Sequence, residues 1–503
     1  MTVSLDGNSL TIADVFAVAV GRERVDLAPA AKARMGRTRA VVEKAAACGE
    51  PVYGVTTGFG KLSDVAIEPA KLEELQVNLV RSHVSGVGPL LPEREVRGMM
   101  LLRANVIAKG FSGARADLAE LLCGMLNAGI HPPVPEQGSA GASGDLAPLA
   151  HLALAMIGEG TLILDGKEAP AAEVLRGAGL APLRLQAKEG ITLINGTQAH
   201  TAVAALLLHD SLALWETAHA AGAMSLDALL GTPAAFDERI HDARGQEGQK
   251  ESAALLRRLI EGSEIRESHR HGDSRVQDAY ALRCMPQVHG PARDALRWIE
   301  QIVEREINAA TDNPLVFENG DLLSGGNFHG QSVAMALDLL AIALTNLATI
   351  SERRIDRLVH PDMNQGLPPF LTANAGLHSG MMMAQVTAAS VASECKVLSH
   401  PASVDTIPTD GGKEDVVPMA MGAAWKARRV AQNLEYILAI ELMCGAQGLD
   451  FRAPLKTGTA LQAAHRAVRE LVPHLGDDRA LNGDIALLAA AVAAGKFTGL
   501  ASQ

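Results

Sequence analysis

Aromatic, cysteine and paired metal-binding residues are all sparse in this sequence of 503 residues, which has only three tryptophans, three tyrosines and nine phenylalanines. The five cysteines are odd in number, widely spaced and never arranged as Cys-x-x-Cys. This pattern argues against a disulfide framework and a cysteine zinc site, and it favours a reducing, cytoplasmic setting. His289 and His329 lack partners at i, i+4, so we assign no metal site.

The sequence also has fewer basic than acidic residues and few long apolar segments. The formal net charge is −12, whereas proteins that bind nucleic acid usually present a basic face. The first residues lack the basic and apolar regions of a signal peptide. The most apolar segment, 335–350, contains Asp338 and Asn346 and is shorter than the ~18 residues that suggest a membrane span. We therefore expect neither a nucleic-acid partner nor a membrane association.

Helical periodicity dominates what is present. Long helical patterns are predicted over 29–48, 198–230, 291–310, 330–358, 378–398 and 418–446. Gly49 is a plausible C-terminal cap for the first of them. Strand signals are few: 160–167 alternates before an Asp-Gly turn, with a possible partner near 183–187. The sequence thus predicts a mainly α protein whose mixed N-terminal part contains a few short strands.

Glycine-rich segments with polar or aromatic residues separate the helices, as loops that carry functional sites often do. They span 52–60, 82–88, 138–148, 193–198, 271–290, 324–331 and 409–418. Two of the three tyrosines, Tyr53 and Tyr280, lie in these loops. A phenol whose pKa is lowered from about 10 can act as a general acid or base. The simpler alternative is a packed tyrosine with a satisfied hydroxyl.

Other polar residues in these loops have structural alternatives to a functional role. His83 ends a predicted helix, where a cation is favoured by the helix dipole. Arg283 suits a substrate carboxylate or a structural ion pair. Glu414 would by default be solvated, and Asn195 would be a turn residue.

The segment "GSAGASGDLAP", residues 138–148, suggests a specific chemistry. Because glycine has no Cβ, the chain can bend until the amide nitrogen of Gly144 approaches the carbonyl carbon of Ala142. Attack and loss of water would close a five-membered imidazolone ring. Loss of water from the Ser143 side chain would then leave an electrophilic methylidene. The alternatives are a flexible loop or an anion-binding nest.

The wider context resembles the aromatic amino acid ammonia-lyase family, whose cofactor, 4-methylidene-imidazol-5-one (MIO), forms autocatalytically from Ala-Ser-Gly. Similar segments follow in family order between about residues 50 and 420: "YGVTTGFG", "GSAGASGDLAPLAH", "LINGTQ", "QDAYALRC", "TDNPLVF", "SGGNFHGQ", "SERRIDRL" and "SVDTIPT". The resemblance implies an MIO-bearing domain at 1–200 and a helical core domain at 201–503. The latter would contain a central bundle of long helices of the fumarase/aspartase-like type.

The resemblance also implies a homotetramer whose active sites are shared between subunits and act on a small amino acid. Ammonia would leave after the methylidene derived from Ser143 captures the substrate amine. Tyr53 matches the base that removes the β-proton, and Arg283 matches the group that holds the carboxylate. Tyr280 and Asn195 match residues that flank the cofactor and stabilise its oxyanion. Asp145, beside the tripeptide, is a candidate to assist the dehydration.

Three residues place the chain nearest the histidine-acting branch of that family. Ser82-His83 stands where the tyrosine and phenylalanine branches typically have His-Leu or Phe-Leu, and Glu414 stands where phenylalanine enzymes typically have an amide. A histidine and a carboxylate can pair with the two nitrogens of an imidazole ring. The resemblance therefore implies elimination of ammonia from L-histidine, giving trans-urocanate, with Phe328 as a wall of the pocket.

One segment departs from that branch. Asp-Gly-Gly-Lys at 410–413 replaces a sequence closer to Ser-Ala-Asn-Gln, and Lys413 could pair with Glu414 or alter it. Two alternatives to histidine elimination therefore stay open. One is a tyrosine or phenylalanine ammonia-lyase of the same family, and the other is a non-catalytic helical scaffold that retains the fold.

Overall fold

The computed structural model describes residues 2–48, 51–273 and 275–502, and its secondary structure is mainly helical. The α-helices over these residues are α1 Ile12–Ala19, α2 Pro29–Cys48, α3 Leu72–His83, α4 Glu93–Ala108, α5 Ala116–Asn127, α6 Leu146–Met156, α7 Ala171–Gly177, α8 Glu189–Ile194, α9 Gln198–Ala228, α10 Glu238–Arg244, α11 Glu247–Ile260, α12 Glu264–Ser268, α13 Tyr280–Arg283, α14 Met285–Glu306, α15 Gln331–Val359, α16 Met382–Leu398, α17 Ala420–Asp450, α18 Thr459–Leu471 and α19 Asn482–Ala493. The strands are β1 Thr2–Leu5, β2 Arg24–Leu27, β3 Val87–Leu90, β4 Pro135–Gln137, β5 Thr161–Leu164, β6 Lys167–Pro170, β7 Leu315–Val316 and β8 Leu322–Leu323. The predicted mainly α class is confirmed.

The long helices lie close to where the sequence predicts them. Helix α2 covers the predicted 29–48, although its proposed cap, Gly49, lies outside the described residues. Helix α14 begins at Met285 and continues through Pro291, where the sequence predicts its start. Pro291 therefore lies inside the helix and not at its N-terminus.

Internal contacts divide the chain into two compact units, each built from three separate segments. Unit 1 comprises Met1–His209, Ile299–Asp338 and Pro401–Trp425, and unit 2 comprises Asp210–Trp298, Leu339–His400 and Lys426–Gln503. The Ala-Ser-Gly segment belongs to unit 1. The division into domains 1–200 and 201–503 stays a prediction.

Every strand of the described residues belongs to unit 1, in two-stranded sheets. Strands β5 and β6 form an antiparallel hairpin across Asp165 and Gly166, which both have positive φ, 50° and 73°. Such a two-residue turn matches the twist of the paired strands and brings the next segment alongside. The predicted partner at 183–187 is therefore wrong, since the hairpin turn selects its immediate neighbour.

Three helices of unit 1, α3, α6 and α8, pack against one another and position the residues of interest at their ends. Helix α3 ends at His83, α6 begins after Asp145, and α8 ends before Asn195. Helix α8 is buried along its whole length, and α3 buries Leu72 and Leu79. A buried apolar interface therefore positions polar side chains at one set of helix ends.

In unit 2, parts of α9, α15 and α17 meet around a buried carboxylate. Glu441 accepts hydrogen bonds from Ser225 Oγ at 2.7 Å, Ser351 Oγ at 2.5 Å and Arg354 Nε at 2.5 Å. Glu441 and Arg354 are both fully buried. Because an unpaired charge would be costly in this interior, these contacts set which faces of the helices meet.

Helix α15 contains the apolar segment singled out above. It is long and apolar enough to cross a membrane by length and composition, with a mean hydropathy of 1.9 in its most apolar window. That window is 67% buried inside the protein. The apolar side chains of α15 therefore contribute to the helical core.

Candidate active site

The Ala-Ser-Gly tripeptide forms a tight turn immediately before α6, docked on the loop that follows α8. Gly144 has a φ of +74°, and a Cβ built on it would lie 2.1 Å from the carbonyl oxygen of Gly196. The N–H of Asp145 donates to that same oxygen at 2.7 Å. Glycine is required at 144 because two backbone segments meet there without room for a side chain.

Asp145 anchors this turn to the N-terminus of α9. Its fully buried carboxylate accepts hydrogen bonds from the N–H groups of Ala199, at 2.8 Å, and His200, at 3.0 Å. Ser139 Oγ, at 2.8 Å, and the His200 ring are further partners. Burial acts to raise the pKa of Asp145, but the His200 charge and these hydrogen bonds hold that pKa below its ordinary value. The carboxylate thus binds otherwise unpaired N–H groups at the helix end.

Ser143 lies between two residues singled out in the sequence. Its Oγ donates a hydrogen bond to Glu414 Oε1, and its carbonyl oxygen accepts one from Asn195 Nδ2 at 2.9 Å. The carbonyl of Asn195 is held by Nη1 of buried Arg103 at 2.8 Å. Burial lowers the pKa of Arg103 to about 10. Asn195 Oδ1 is buried with no hydrogen-bond partner among the described residues, so it can accept a hydrogen bond from a ligand.

The Glu414 carboxylate is oriented by a closed turn. Thr409 Oγ1 donates to Glu414 Oε2, and the N–H of Thr409 donates to the carbonyl of Glu414 at 2.9 Å. Within the described part of the chain, the hydrogen bonds of this carboxylate come from the Thr409 and Ser143 hydroxyls. A hydrogen bond from Lys413, one of the two effects considered from the sequence, is not among them.

Two cavities formed by described residues of unit 1 converge on this turn, with volumes of about 560 and 630 Å³. Both are lined by Tyr53, Ser143 and Glu414. Ala142 and Phe328 line the first cavity. The second is lined by Ser82, His83 and Asn195. The structure therefore brings together eight of the predicted site residues, with Gly144 directly following in the chain.

His83 contributes a ring whose proton position can be inferred from its contacts. Its Nδ1 lies 2.8 Å from the carbonyl oxygen of Leu79 and 3.0 Å from Ser82 Oγ, whose hydroxyl also donates to Leu79. Because a carbonyl only accepts hydrogen bonds, Nδ1 carries a proton. In the neutral ring, Nε2 is then a hydrogen-bond acceptor for a ligand in the cavity.

Tyr53 lies in the cavity wall, but its environment differs from the sequence expectation. Burial raises the pKa of this phenol, the Gly60 N–H bonded to its hydroxyl at 3.5 Å opposes that rise, and Asp410 and Glu414 add to it. The expectation of a lowered pKa is not met by these groups. Carboxylates in the wall favour the protonated phenol, so a general base at this position needs a nearby cation.

Tyr280 and Arg283 form a pair of their own in unit 2, on the short helix α13. The Arg283 guanidinium carbon lies 4.6 Å from the centre of the Tyr280 ring. Tyr280 is 71% exposed. Arg283 Nε has no hydrogen-bond partner among the described residues. Neither side chain is among the described residues that line the two cavities.

Asp410 is the site residue that sequence reasoning missed. Its carboxylate packs against Gly60, where an added Cβ would lie 2.1 Å from Asp410 Oδ2. The N–H of Lys61 donates to Asp410 Oδ1 at 3.2 Å. The sequence signal that could have revealed it is the departure at 410–413, noted above only for its lysine.

Comparison with known proteins shows which family this mainly helical chain resembles. The family model described as aromatic amino acid lyase matches residues 10–470. The histidine ammonia-lyase of Koribacter versatilis strain Ellin345 is 54% identical over 510 residues, covering 99% of each chain. That of Anaeromyxobacter dehalogenans strain 2CP-C is 55% identical over 493 residues, covering 96% of this chain and 97% of the relative.

Solved structures of similar proteins superpose on this chain over its full length. Histidine ammonia-lyase from Trypanosoma cruzi superposes with a TM-score of 0.92 at 41% identity, covering 100% of this chain and 95% of that one. Tyrosine aminomutase from Streptomyces globisporus gives a TM-score of 0.94 at 39% identity, with coverage of 100% and 98%. The family model and these relatives show that the protein is a mainly helical carbon–nitrogen lyase. The chain belongs to the aromatic amino acid lyase family.

Proposed function

We propose that this lyase eliminates ammonia from L-histidine to give trans-urocanate, the first step of histidine degradation. The observation that carries the proposal is that His83 and Glu414 line the same cavity as Ser143. The naming of relatives at 54% and 55% identity as histidine ammonia-lyases supports it. The five unpaired cysteines are compatible with the cytoplasm, where we place the enzyme.

Substrate recognition follows from the hydrogen-bonding capacity of the two side chains. His83 Nε2 accepts a hydrogen bond when the ring is neutral, and the Glu414 carboxylate accepts in any orientation. An imidazolium ring offers an N–H to each. A phenyl or phenol ring in that place cannot donate a hydrogen bond to both His83 Nε2 and the Glu414 carboxylate, which disfavours tyrosine and phenylalanine.

The tripeptide has the features that the MIO cofactor of the family requires. Gly144 leaves its backbone nitrogen unhindered, and Asn195 Nδ2 already donates to the Ser143 carbonyl oxygen, which would become the ring carbonyl. The buried Asn195 Oδ1 is left to accept from the substrate amine. Once formed, MIO supplies an electrophile that turns the amine into a better leaving group. Asn195 would stabilise charge that develops on the carbonyl oxygen.

Elimination of ammonia also removes a proton from the β-carbon of the substrate. We assign this proton transfer to Tyr53, whose phenol oxygen would accept the proton. This requires an ionised phenol, although the described surroundings raise its pKa. A cation beside the ring would oppose that rise. Two cations could lower the pKa of Tyr53 in this way. One is Arg283, which we assign to the substrate carboxylate, and the other is the positive charge of the substrate itself.

We place Tyr280 and Arg283 in this site from a neighbouring subunit of a homotetramer. Both are absent from the described cavity walls of their own chain, and Tyr280 is largely exposed. Exposed apolar side chains on α16 also favour association, since Met383 is 61% and Val397 68% exposed.

The proposal is tested by incubating the purified protein, without added cofactor, with L-histidine, L-tyrosine or L-phenylalanine and following ultraviolet absorbance of the unsaturated product. We expect urocanate, with tyrosine and phenylalanine turned over far more slowly. Tyrosine turnover as fast as histidine turnover would instead favour the other branch of the family, a real alternative because tyrosine aminomutase shares the fold.

The double variant Ser82→His/His83→Leu sharpens the test. It removes the Nε2 acceptor and should shift kcat/KM from histidine towards tyrosine. Glu173→Ala, a change at an exposed position of α7, is the control. Unchanged selectivity in the double variant would show that this pair does not read the ring.

A further inference from the structure

We propose that Asp410 is a positioning residue that clamps the Tyr53 loop against the turn carrying Glu414, and so couples the base to the residue that reads the substrate. The inference rests on the proposed function, because it concerns the same site. Asp410 belongs to the segment at 410–413 in which this chain departs from the pattern of the histidine branch.

The clamp consists of two contacts across a large sequence separation. Asp410 Oδ1 accepts the Lys61 N–H at 3.2 Å, and the carboxylate lies so close to Gly60 that an added Cβ would be 2.1 Å from Oδ2. Gly411 faces the Lys61 side chain, whose Cγ would be 3.2 Å from a Cβ placed there. The two short 3₁₀ turns, Gly60–Leu62 and Asp410–Gly412, are therefore in direct contact.

The same loop residue contacts the base. The N–H of Gly60 donates to the Tyr53 hydroxyl at 3.5 Å, so Gly60 lies between that hydroxyl and the Asp410 carboxylate. At the other end, the Thr409–Glu414 backbone and side-chain hydrogen bonds close the turn that carries Asp410. A shift of the turn would therefore move the substrate-reading carboxylate and the tyrosine loop together.

Backbone conformation indicates that the turn is held in a demanding geometry. Asp410 has a φ of +47°, and Gly411 and Gly412 follow at +59° and +85°. A left-handed conformation is uncommon for non-glycine residues and is tolerated best by Asp and Asn. The glycines permit the turn, and the aspartate supplies the side chain that reaches the neighbouring loop.

Charge gives the clamp a second, measurable effect. The charged groups that act on Tyr53 are Asp410 and Glu414 of the turn and Asp312, and all three raise the pKa of the phenol after the larger effect of burial. Asp64, His329, Lys413 and Asp415 also line the cavity that Tyr53 shares with them. Removing the Asp410 charge should lower the pKa of Tyr53.

Two substitutions separate position from charge. Asp410→Asn keeps an oxygen for the Lys61 N–H and tolerates the positive φ, but removes the charge. It should move the acid limb of kcat/KM for histidine to lower pH while changing kcat little. Asp410→Ala removes both contacts, and it should lower kcat about 10- to 100-fold with little change in KM, because the base rather than the substrate is misplaced.

The titration of Tyr53 can be measured without turnover from the NMR signals of the full-length protein labelled with carbon-13 tyrosine. The chain has three tyrosines, so Tyr53→Phe identifies the signal of Tyr53 by its loss. That signal should titrate at lower pH in Asp410→Asn than in the wild type. Asp64→Asn, which neutralises an exposed acid in the same cavity, is the matched control and should shift the signal less.

The possible results distinguish a failure of the role of Asp410 from a failure of the proposed function. Wild-type kcat and pH profile in Asp410→Ala, or loss of thermal stability alone, would overturn the proposal. If that variant is insoluble, an unshifted Tyr53 titration in Asp410→Asn overturns it instead. A wild-type protein that makes no urocanate contradicts the proposed function, while the titration still decides the role of Asp410.

Discussion

At Gly144 the backbone of the Ala-Ser-Gly turn meets the backbone of Gly196 with no space for a side chain. The chemistry proposed for the turn requires a sharp bend at Gly144, and the φ of +74° at this residue is a conformation that glycine adopts readily. The neighbouring Ser143 carbonyl is already paired with Asn195. Single residues with little or no side chain therefore control this site as much as those that carry acids and bases.

We predict that Gly144→Ala abolishes urocanate formation, because the new Cβ would lie 2.1 Å from the Gly196 oxygen at a φ of +74°. Gly179→Ala is the control, since Gly179 has a φ of +73° and open space around it. The control should cost about 1 kcal/mol of stability from backbone strain alone and retain activity. Equal initial rates for the two variants would contradict the assigned role of the Gly196 contact.

Residues that carry distinctive chemistry were predictable from sequence, and residues that act through distant contacts were not. Ser143, Asn195 and Glu414 could be singled out because they stand in glycine-rich loops that match known segments, and the structure places them in contact. Asp410 acts on Gly60 across hundreds of residues, which no local pattern encodes. The raised pKa of Tyr53 depends on burial and neighbouring carboxylates, so its direction required coordinates.

At the level of secondary structure, the site residues lie at or next to the ends of helices. The mutual packing of α3, α6 and α8 could be anticipated only as apolar faces, since periodicity identifies a buried stripe but not its partner. The junction of the turn with α9 depends on one side chain, because Asp145 accepts from the N–H groups of Ala199 and His200. This cap is a structural role that sequence reasoning had not assigned.

We predict that Asp145→Asn lowers the free energy of unfolding by on the order of 3 kcal/mol at neutral pH, because buried donors lose a charged acceptor. The pKa of Asp145 is lowered in the folded protein. Its contribution is therefore present above the unfolded pKa and lost as pH falls through the folded pKa. Thermal midpoints of wild type and variant should converge in acid. Asp165→Asn, at an exposed turn, is the control, and a gap independent of pH would contradict the charged cap.

In the whole molecule, the residues that we propose for the site do not all line the cavities formed by the described residues of one chain. Tyr53, His83 and Glu414 belong to unit 1, whereas Tyr280 and Arg283 belong to unit 2. Assembly of several copies would complete the site. The exposed apolar residues of α16 are suited to such an interface.

Shared sites predict complementation between inactive variants. Tyr53→Phe and Arg283→Ala should each reduce kcat by about 100-fold or more. When the two are co-expressed with different tags and purified through both, some sites of the mixed oligomer combine an intact Tyr53 with an intact Arg283. The mixed oligomer should regain part of the wild-type rate, and no recovery would contradict sites built from more than one subunit.

The central claim, that the Ala142-Ser143-Gly144 turn becomes the electrophile of this lyase, is tested most directly by intact mass spectrometry of the purified protein. We predict a mass lower than that of the encoded chain by two water molecules, with the whole deficit in the peptide that contains the tripeptide. Ser143→Ala should lose the second dehydration together with activity. A wild-type protein of full encoded mass that still releases ammonia from histidine would contradict the account.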